Sequence, residues 1–161
     1  MAGIIALLAA GVAVFALINA QQLQDSGSGT VTISFNDQKA VFDMDVLQSM
    51  PKTTFSASLH TNGQDPVEKS FGGVPLIDVF KSIGVDISGA AQIIFKAADG
   101  YTTAVSPEEV NDPDNVYVVY ERDGKPSGTM VQGGTGPIEI VIRKDAFSQR
   151  WCKYLQQIDI E

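Results

Sequence analysis

The sequence predicts an α+β domain, rich in β-strands, that follows an apolar N-terminal segment. Short runs in which apolar and polar residues alternate, typical of half-buried strands, recur between residues 30 and 160. Segments with helical spacing are few and short, and the regular strand–helix–strand succession of a doubly wound nucleotide-binding fold is missing. Residues 30–161 are therefore interpreted as one mixed, β-rich domain, which is long enough to bury a hydrophobic core.

The apolar segment, residues 1–20, has no polar side chain from residue 2 to residue 18. Its length approaches the roughly 20 residues that a helix needs to cross a bilayer. Two interpretations stay open: a secretory signal peptide cleaved after Ala20, or a retained membrane anchor joined to the domain by a polar tether at residues 21–29. The absence of Lys or Arg before the run weighs against the signal peptide, and a helix embedded in a larger assembly is a third option. Both membrane interpretations place the domain outside the cytoplasm, secreted or membrane-anchored.

Charge and composition exclude several classes of protein. The chain carries a net charge of −8, whereas nucleic-acid binding requires a basic surface, so a nucleic-acid partner is excluded. A hydrophobic content of 44% excludes disorder of the whole chain. With 1 Cys and 1 His, the chain can form neither an intramolecular disulfide nor a Cys/His zinc site.

The strands are assigned from apolar runs that alternate or are continuous and that turn residues bound. The clearest alternation places Val31, Ile33 and Phe35 on one face, and Ile138, Ile140 and Ile142 alternate in the same way near the C-terminus. The predicted strands are residues 30–35, 39–42, 53–59, 92–97, 116–120, 138–142 and 154–160.

Three short helices are predicted from their capping residues. Asp43 can cap a helix that ends before Pro51. Pro75 suits the first turn of the clearest helix, in which apolar residues recur at helical spacing. Ser106 begins a capping box that Glu109 closes, with a proline at the first helical position.

Two loops are the candidate binding segments, residues 60–69 and residues 128–136. The first is polar and holds His60, which is expected to face solvent or a loop and has no nucleophile motif near it that would complete a catalytic triad. The second is rich in glycine, which allows a ligand to approach the backbone closely. It lacks the Lys and the following helix of a Walker phosphate loop, because Pro137 and a strand follow. A plain connection between strands is the alternative interpretation.

Charged side chains concentrate in two places, an acidic set within residues 108–114 and a basic set within residues 143–153. The acidic set lacks the spacing of a calcium loop, so it predicts a solvated loop rather than a metal site. The basic set either balances the acidic remainder of the domain, which is the favoured interpretation, or holds an anion such as phosphate. Within the basic stretch, Trp151 is expected in the core beside Phe147, with its indole N–H on a backbone carbonyl. The acidic set is Glu108, Glu109, Asp112 and Asp114, and the basic set is Arg143, Lys144, Arg150 and Lys153.

Several short motifs, taken in order, resemble one known family. The motifs are Gly73-Val74-Pro75-Leu76, Ala98-Asp99-Gly100-Tyr101, Ser106-Pro107-Glu108-Glu109, Asp123-Gly124-Lys125-Pro126, Gly136-Pro137-Ile138 and Arg150-Trp151-Cys152-Lys153-Tyr154-Leu155. Their succession resembles the molybdopterin-binding domain of the sulfite oxidase family, in its small, extracytoplasmic bacterial form, over residues 30–161. The resemblance implies a mixed, mostly β, α+β fold and an oxidoreductase-like site for a molybdenum cofactor.

The resemblance also marks where this chain departs from the family. In catalytic members a Cys thiolate from the loop ahead of the Gly-Val-Pro-Leu helix binds molybdenum, but residues 58–63 contain no Cys, and Cys152 lies in a different motif. Glu139 stands where the family pattern tends to have an Arg that helps to hold the anionic cofactor, and Lys153 remains as a family-like basic residue. Molybdopterin is thus a possible cofactor, and no catalytic residue or metal ligand is assigned. The candidate cofactor-binding residues are Gly133, Gly134, Gly136, Lys153, His60 and Asn62.

Three hypotheses for the function follow. The leading hypothesis is a domain that has lost ordinary molybdenum catalysis and binds a ligand or a partner, such as a redox or envelope protein, through the two loops. The first alternative is an active molybdopterin oxidoreductase with a non-cysteine metal site near His60 or Asn62. The second is a structural membrane protein that assembles through residues 1–20, with the domain attached to the outside of the assembly. Under the leading hypothesis, a bulky β-branched residue at Gly134 abolishes ligand binding and leaves the fold intact.

Overall fold

The computed structural model describes residues 29–61 and 63–161, so the predictions for residues 1–28 and for Asn62 lie outside the described residues. No helix among the described residues has the length and apolar character required to cross a membrane. The helices are α1 (Met44–Ser49), α2 (Leu76–Ser82) and α3 (Pro107–Asn111), with 3₁₀ turns at Met130–Gln132 and Ser148–Arg150. The strands are β1 (Thr30–Phe35), β2 (Gln38–Asp43), β3 (Thr53–Leu59), β4 (Val67–Pro75), β5 (Ile93–Ala97), β6 (Thr102–Val105), β7 (Val116–Arg122), β8 (Lys125–Pro126), β9 (Glu139–Ile142) and β10 (Leu155–Ile160).

The first sheet joins the two ends of the domain. Its strand order is β2-β1-β10-β5-β6, and β1 pairs with β10 in parallel, with Ile33 opposite Ile158. The other neighbours in this sheet are antiparallel. Val31 and Ile33 are fully buried, as their alternation predicts, so this face of β1 contributes to the hydrophobic core.

The second sheet is built around β7. On one side β7 pairs with β4, which in turn pairs with β3, and on its other side it pairs with β8 and then β9. A register shift interrupts the β4–β7 ladder between Gly72 and Gly73. One mixed sheet, one antiparallel sheet and a few short helices confirm the predicted β-rich α+β class.

The predicted helix caps are present in the structure. The side chain of Asp43 accepts a hydrogen bond of 3.0 Å from the N–H of Val46 at the start of α1. Ser106 and Glu109 form the reciprocal capping box of α3. Pro75, predicted in the first turn of α2, instead lies one residue before the helix and makes no side-chain cap hydrogen bond. Because these caps satisfy backbone N–H groups locally, they were visible in the sequence.

Three strands, β4, β6 and the two-residue β8, are not predicted by the sequence. β6 is short, and β4 has three polar residues after the exposed Val67 and then continues through two glycines, so neither carries an alternating apolar pattern. The polar loop predicted at residues 60–69 is consequently too long, because the strand already starts at Val67. The pairing of β4 between β3 and β7, rather than its own composition, explains why it is a strand.

The alternating sequence of β9 predicts one buried face and one solvent-exposed face, but the structure buries both faces of this strand. All four of its residues are buried, including Glu139, which has an exposed fraction of 0%. One edge of β9 pairs with β7, while Ile140 also forms a bridge with Cys152. The segment around Cys152 therefore covers β9 and places a carboxylate inside the domain.

The environment of Trp151 agrees with the prediction in one respect and contradicts it in another. Its indole Nε1–H donates to the carbonyl oxygen of Ile142 at 3.0 Å, as expected. Its ring packs edge-on against Phe71, with the centroids 5.4 Å apart. The expectation that Phe147 joins this core is wrong, because Phe147 is 59% exposed.

Candidate functional site

The glycine-rich loop, residues 128–136, connects β8 to β9 and hydrogen-bonds to itself. The N–H groups of four successive residues, Gly133 to Gly136, donate to carbonyl oxygens of the same segment at 2.8–3.0 Å. Their acceptors are, in order, the carbonyl oxygens of Met130, Thr129, Ser127 and Gly128. A phosphate cradle needs backbone N–H groups that point at the ligand. These four N–H groups already donate to carbonyl oxygens of the chain itself. The prediction that they hold a cofactor phosphate therefore finds no geometric support.

Glycine at position 134 is required by the loop itself. A Cβ atom there would overlap the carbonyl oxygen of Ser127 and lie 2.5 Å from the carbonyl carbon of Gly128. Gly133 differs, because its Cβ would meet nothing within 4 Å, although its φ of +72° disfavours other residues. The expectation that a β-branched residue at Gly134 leaves the fold intact is therefore wrong: the clash is with backbone, which cannot rotate away.

Gly134→Ala is expected to destabilise the domain by about 2 kcal/mol, since the loop must open to admit the methyl group. Urea unfolding followed by circular dichroism measures the loss. Gly89→Ala is the matched control, because a Cβ at Gly89 would meet nothing within 4 Å and its φ lies outside the left-handed region. Equal stability of the two variants would contradict the close packing of the loop.

The glycine loop lies against the segment that leads into β10. The Tyr154 hydroxyl donates to the carbonyl oxygen of Gly134 at 2.8 Å, and the Tyr154 N–H donates to that of Thr135 at 2.9 Å. The preceding residue, Lys153, is exposed and forms no ion pair with any residue that the structure describes. The structure thus brings Lys153 and the predicted loop glycines to one end of β9.

At the same end of β9 lies a buried ion pair. The Arg122 guanidinium, through Nη2, donates to Oε2 of Glu139 at 2.9 Å, and the Thr135 hydroxyl donates to Oε1 at 3.0 Å. The Glu139 side chain is 0% exposed and that of Arg122 is 18% exposed. The Arg122 guanidinium also lies over the Phe71 ring, 5.3 Å from its centroid. Glu139 is therefore a buried internal carboxylate with a charged partner and a neutral donor.

Burial and nearby cations act on Glu139 in opposite directions. Loss of hydration raises the pKa of its carboxyl above the ordinary value, and this is the largest effect. The charges of Arg122 and Lys153 and the Thr135 hydroxyl lower the pKa again. Lys153 is therefore close enough for its charge to favour the ionised carboxylate.

Sequence reasoning missed Arg122 and Thr135 as members of this group. Arg122 lies 17 positions before Glu139, at the end of β7, and no local pattern joins the two residues. They meet because β7 and β9 pair, with Val119 opposite Glu139. Only the unusual Glu139 in the Gly136-Pro137-Ile138-Glu139 stretch could have prompted a search for a cationic partner.

His60 belongs to a different part of the molecule. Its backbone N–H donates to the Ser148 hydroxyl, and that hydroxyl donates to the His60 carbonyl oxygen, both at 2.9 Å. Its ring meets the Phe147 ring edge-on, with the centroids 5.4 Å apart. These contacts place His60 with the turn that follows β9, whereas the glycine loop precedes β9.

The basic stretch at residues 143–153 largely balances acidic residues of the domain. Lys144 lies 2.8 Å from Asp112, and Arg150 lies 2.7 Å from Glu109 and also pairs with Asp145. These pairs support the charge-balance interpretation over an anion site for both residues. Within the described ranges, no three His, Cys, Asp or Glu side chains form a group that could hold a metal ion.

The one thiol is inaccessible. Cys152 is fully buried, and burial raises the pKa of its thiol to about 12. A buried, protonated thiol is neither a metal ligand nor a nucleophile.

Cys152 is expected to resist a thiol-reactive dye in the native protein at pH 8. Labelling should be at least about 100-fold slower than in the urea-unfolded chain, because the reactive thiolate is both rare and buried. The absorbance of the released dye anion measures the rate. Native labelling as fast as in urea would place Cys152 at the surface.

The fold is that of a molybdopterin-binding domain of the oxidoreductase type. The family model described as the oxidoreductase molybdopterin binding domain matches residues 23–161, so the chain belongs to this family. No curated protein matches the chain.

Among solved structures, the fold is similar to that of the sulfane dehydrogenase SoxCD from Paracoccus pantotrophus. The two share 18% sequence identity with a TM-score of 0.67, over 84% of this chain and 38% of that chain. This chain thus spans well under half of the SoxCD chain, and the likeness concerns the fold.

The described residues do not fit a molybdopterin cofactor. The loop amides donate within their own loop, Arg122 is bound to an internal carboxylate, and the only thiol is buried and protonated. Of the predicted cofactor-binding residues that the structure describes, Lys153 alone presents a free charge to solvent near the glycine loop. Molybdopterin requires many charge-assisted bonds to its phosphate, and a single exposed lysine does not supply them.

Proposed function

We propose that the protein is a non-catalytic member of the molybdopterin-binding family that acts as a binding module for a partner protein outside the cytoplasm. The observation that carries the proposal is the internal use of the anion-binding groups: the glycine-loop amides and Arg122 donate to oxygens of this chain. The loop holds its shape through these internal hydrogen bonds and does not need the cofactor for its fold.

Exposed hydrophobic side chains indicate where such a partner binds. Val131, in the glycine loop, is 80% exposed, and Phe147, which contacts His60, is 59% exposed. Val131 precedes β9 in the chain and Phe147 follows it. Binding residues are found disproportionately on loops that a rigid scaffold supports, and both of these residues lie outside the strands. A redox or envelope protein is the partner class that family and proposed location favour.

Native mass spectrometry combined with metal analysis tests the absence of the cofactor. The full chain is produced in its own host, or in another host that makes the molybdenum cofactor, beside a cofactor-loaded enzyme as positive control. We expect the mass of the bare polypeptide and no stoichiometric molybdenum. About one molybdenum per chain, with the added mass of a molybdopterin, would instead establish the active oxidoreductase. The same spectrum reads whether the polypeptide begins at Met1 or Gln21.

Site-specific photo-crosslinking in the host tests the binding surface. A photoreactive amino acid is placed at Val131 or Phe147, and at Val41 as a control, since Val41 is similarly exposed at 54% but lies on an edge strand of the other sheet. One discrete heterologous adduct from Val131 or Phe147, and none from Val41, is the expected outcome. Adducts with a second copy of this chain would favour the structural-assembly hypothesis.

A further inference from the structure

We propose that the free edge of β2 pairs with the same edge of a second copy of this chain, which gives a two-fold symmetric dimer with one continuous sheet. β2 lies at one end of the first sheet, and β1 is its only neighbour among the described strands. An edge strand presents unpaired N–H and C=O groups on which another chain can pair. The inference goes beyond the proposed function, because it assigns a second interaction surface on the other sheet.

The hairpin turn determines which backbone groups of β2 face outward. β1 and β2 are joined by a two-residue turn at residues 36–37, whose φ angles of +46° and +58° are those of a type I′ turn. In such a turn the carbonyl oxygen of Phe35 accepts from the N–H of Gln38, so the backbone groups of Gln38 face β1. These groups alternate in direction along an antiparallel strand. Those of Lys39 and Val41 therefore face away from β1.

The outward groups of β2 have no partner in the described part of the chain. No described residue bonds to the N–H or C=O of Lys39 or Val41 on this side of the strand. The Lys39 ammonium likewise forms no ion pair with a described residue. Val41 lies on the same face as Lys39 and is 54% exposed. The edge thus offers open peptide groups, an apolar side chain and a free cation.

The side chains of β2 are complementary to themselves in one register. An antiparallel pair with Val41 on the two-fold axis places Val41 opposite its own copy and Lys39 opposite Asp43 of the second copy. Apolar pairs and opposite charges that face each other across two strands stabilise antiparallel pairing. Asp43 is half-buried and uses Oδ1 to cap α1, which leaves Oδ2 for the lysine. By symmetry the dimer contains this ion pair twice.

Other registers bring like charges together. With Ala40 on the axis, Asp43 lies opposite Asp37 of the second copy, and with Lys39 on the axis the two lysines face each other. Like charges directly opposite each other destabilise a strand pair. A lysine on an edge strand usually prevents edge pairing. Here Asp43 compensates it in the register centred on Val41, so the charges select a defined dimer rather than open-ended association.

Val41→Pro tests the proposal in the full chain, purified in a mild detergent. Proline removes the outward N–H and leaves the bonds to β1 in place, because edge strands tolerate proline where the N–H faces solvent. The dissociation constant of the dimer should rise at least about tenfold, since both hydrogen bonds at the axis are lost. Analytical ultracentrifugation over a range of protein concentrations measures it. Residues 1–20 are the same in every variant, so any association through them is common to all.

Ala104→Pro is the matched control on β6, the edge strand at the other end of the same sheet. The Ala97 N–H donates to the Tyr101 carbonyl oxygen at 2.9 Å, so alternation along the β5–β6 ladder turns the Ala104 N–H away from β5. This variant should dimerise as wild type does. Equal dissociation constants for wild type and Val41→Pro would overturn the proposal, as would a wild type that is monomeric at every concentration.

A cysteine at position 41 decides the question if Val41→Pro does not fold. Hydrogen-bonded residues in an antiparallel pair have Cα atoms about 5.5 Å apart, a distance that a disulfide spans. The native Cys152 is fully buried and does not compete. Under mild oxidation with diamide, Val41→Cys should form a disulfide-linked dimer at least about tenfold faster than Thr102→Cys, at an exposed position of β6. Equal rates would overturn the proposal.

Failure of the dimer is distinct from failure of the proposed function. A photo-adduct with a second copy that arises from Val41 alone reports pairing of β2 rather than assembly through residues 1–20. The heterologous adduct from Val131 or Phe147 tests the partner surface independently. A heterologous adduct from Val41, without one to a second copy, would show that another protein covers β2 and would overturn the dimer.

Discussion

Replacement of Arg122 by Met is expected to lower the free energy of unfolding by about 3–5 kcal/mol at pH 8. The substitution leaves the Glu139 carboxylate with an exposed fraction of 0% and without its charged partner. Breaking a buried pair from one side costs more than the pair contributes, because the remaining charge stays desolvated. Urea unfolding at equilibrium measures the loss.

The loss in Arg122→Met should depend on pH. Burial raises the pKa of Glu139 in the folded state, and removal of the cation raises it further. A group with a raised folded pKa stabilises the fold below its unfolded pKa, about 4.3 for Glu, and this contribution disappears as the pH rises through the folded value. Arg122→Met should therefore differ less from wild type at pH 5 than at pH 8. A pH-independent difference would show that Glu139 is not the group concerned.

Arg143→Met is the matched control for Arg122→Met. Arg143 also lies over a phenylalanine, 5.9 Å from the centroid of the Phe55 ring, but it is exposed and donates to the Ser56 carbonyl rather than to a buried carboxylate. Its loss should be about 1 kcal/mol or less. The double variant Arg122→Met/Glu139→Gln should recover part of the stability that Arg122→Met loses, because it removes the orphaned charge. A double variant less stable than Arg122→Met would contradict this account.

Gly73→Ala is expected to cost about 3 kcal/mol, which lowers the unfolding midpoint by about 10 °C. A Cβ atom at this position would overlap the carbonyl oxygen of Val118 and lie 2.9 Å from the Cα of Val119. Both atoms belong to the backbone of β7, the strand on which the second sheet is built. The ladder between β4 and β7 must therefore separate to accept a methyl group.

Differential scanning calorimetry of Gly73→Ala beside Gly89→Ala measures this effect. Gly89 lies where a Cβ would meet nothing within 4 Å, so its replacement should change stability by less than about 0.5 kcal/mol or raise it slightly. Similar midpoints for the two variants would show that β4 and β7 tolerate a wider separation than the structure gives them.

Much of the fold was predictable because its signals are local. The Asp43 and Ser106 caps and the alternation in β1 each depend on residues within a few positions. β4 was missed because its pairing partners lie far away in the sequence and its own composition is polar and glycine-rich. Tertiary pairing decides the structure of such segments.

The candidate site was predictable only in outline. The glycine loop and Lys153 lie at the same end of β9, where Tyr154, the residue after Lys153, donates to the carbonyl oxygen of Gly134. The role of the glycines was misjudged, since their composition cannot show whether the amides face a ligand or their own loop. The ion pair between Glu139 and Arg122 could not be predicted from the sequence, because the two residues meet only through the pairing of β7 with β9.

The parallel contact between β1 and β10 bears on when the protein can fold during its synthesis. The first sheet has β10 at its centre, between β1 and β5, so its two halves stay separate until residues 155–160 have left the ribosome. The β1–β2 hairpin and the β5–β6 hairpin can form early, but they expose their buried faces until then. Removal of the last strand would therefore leave two hairpins without a shared sheet.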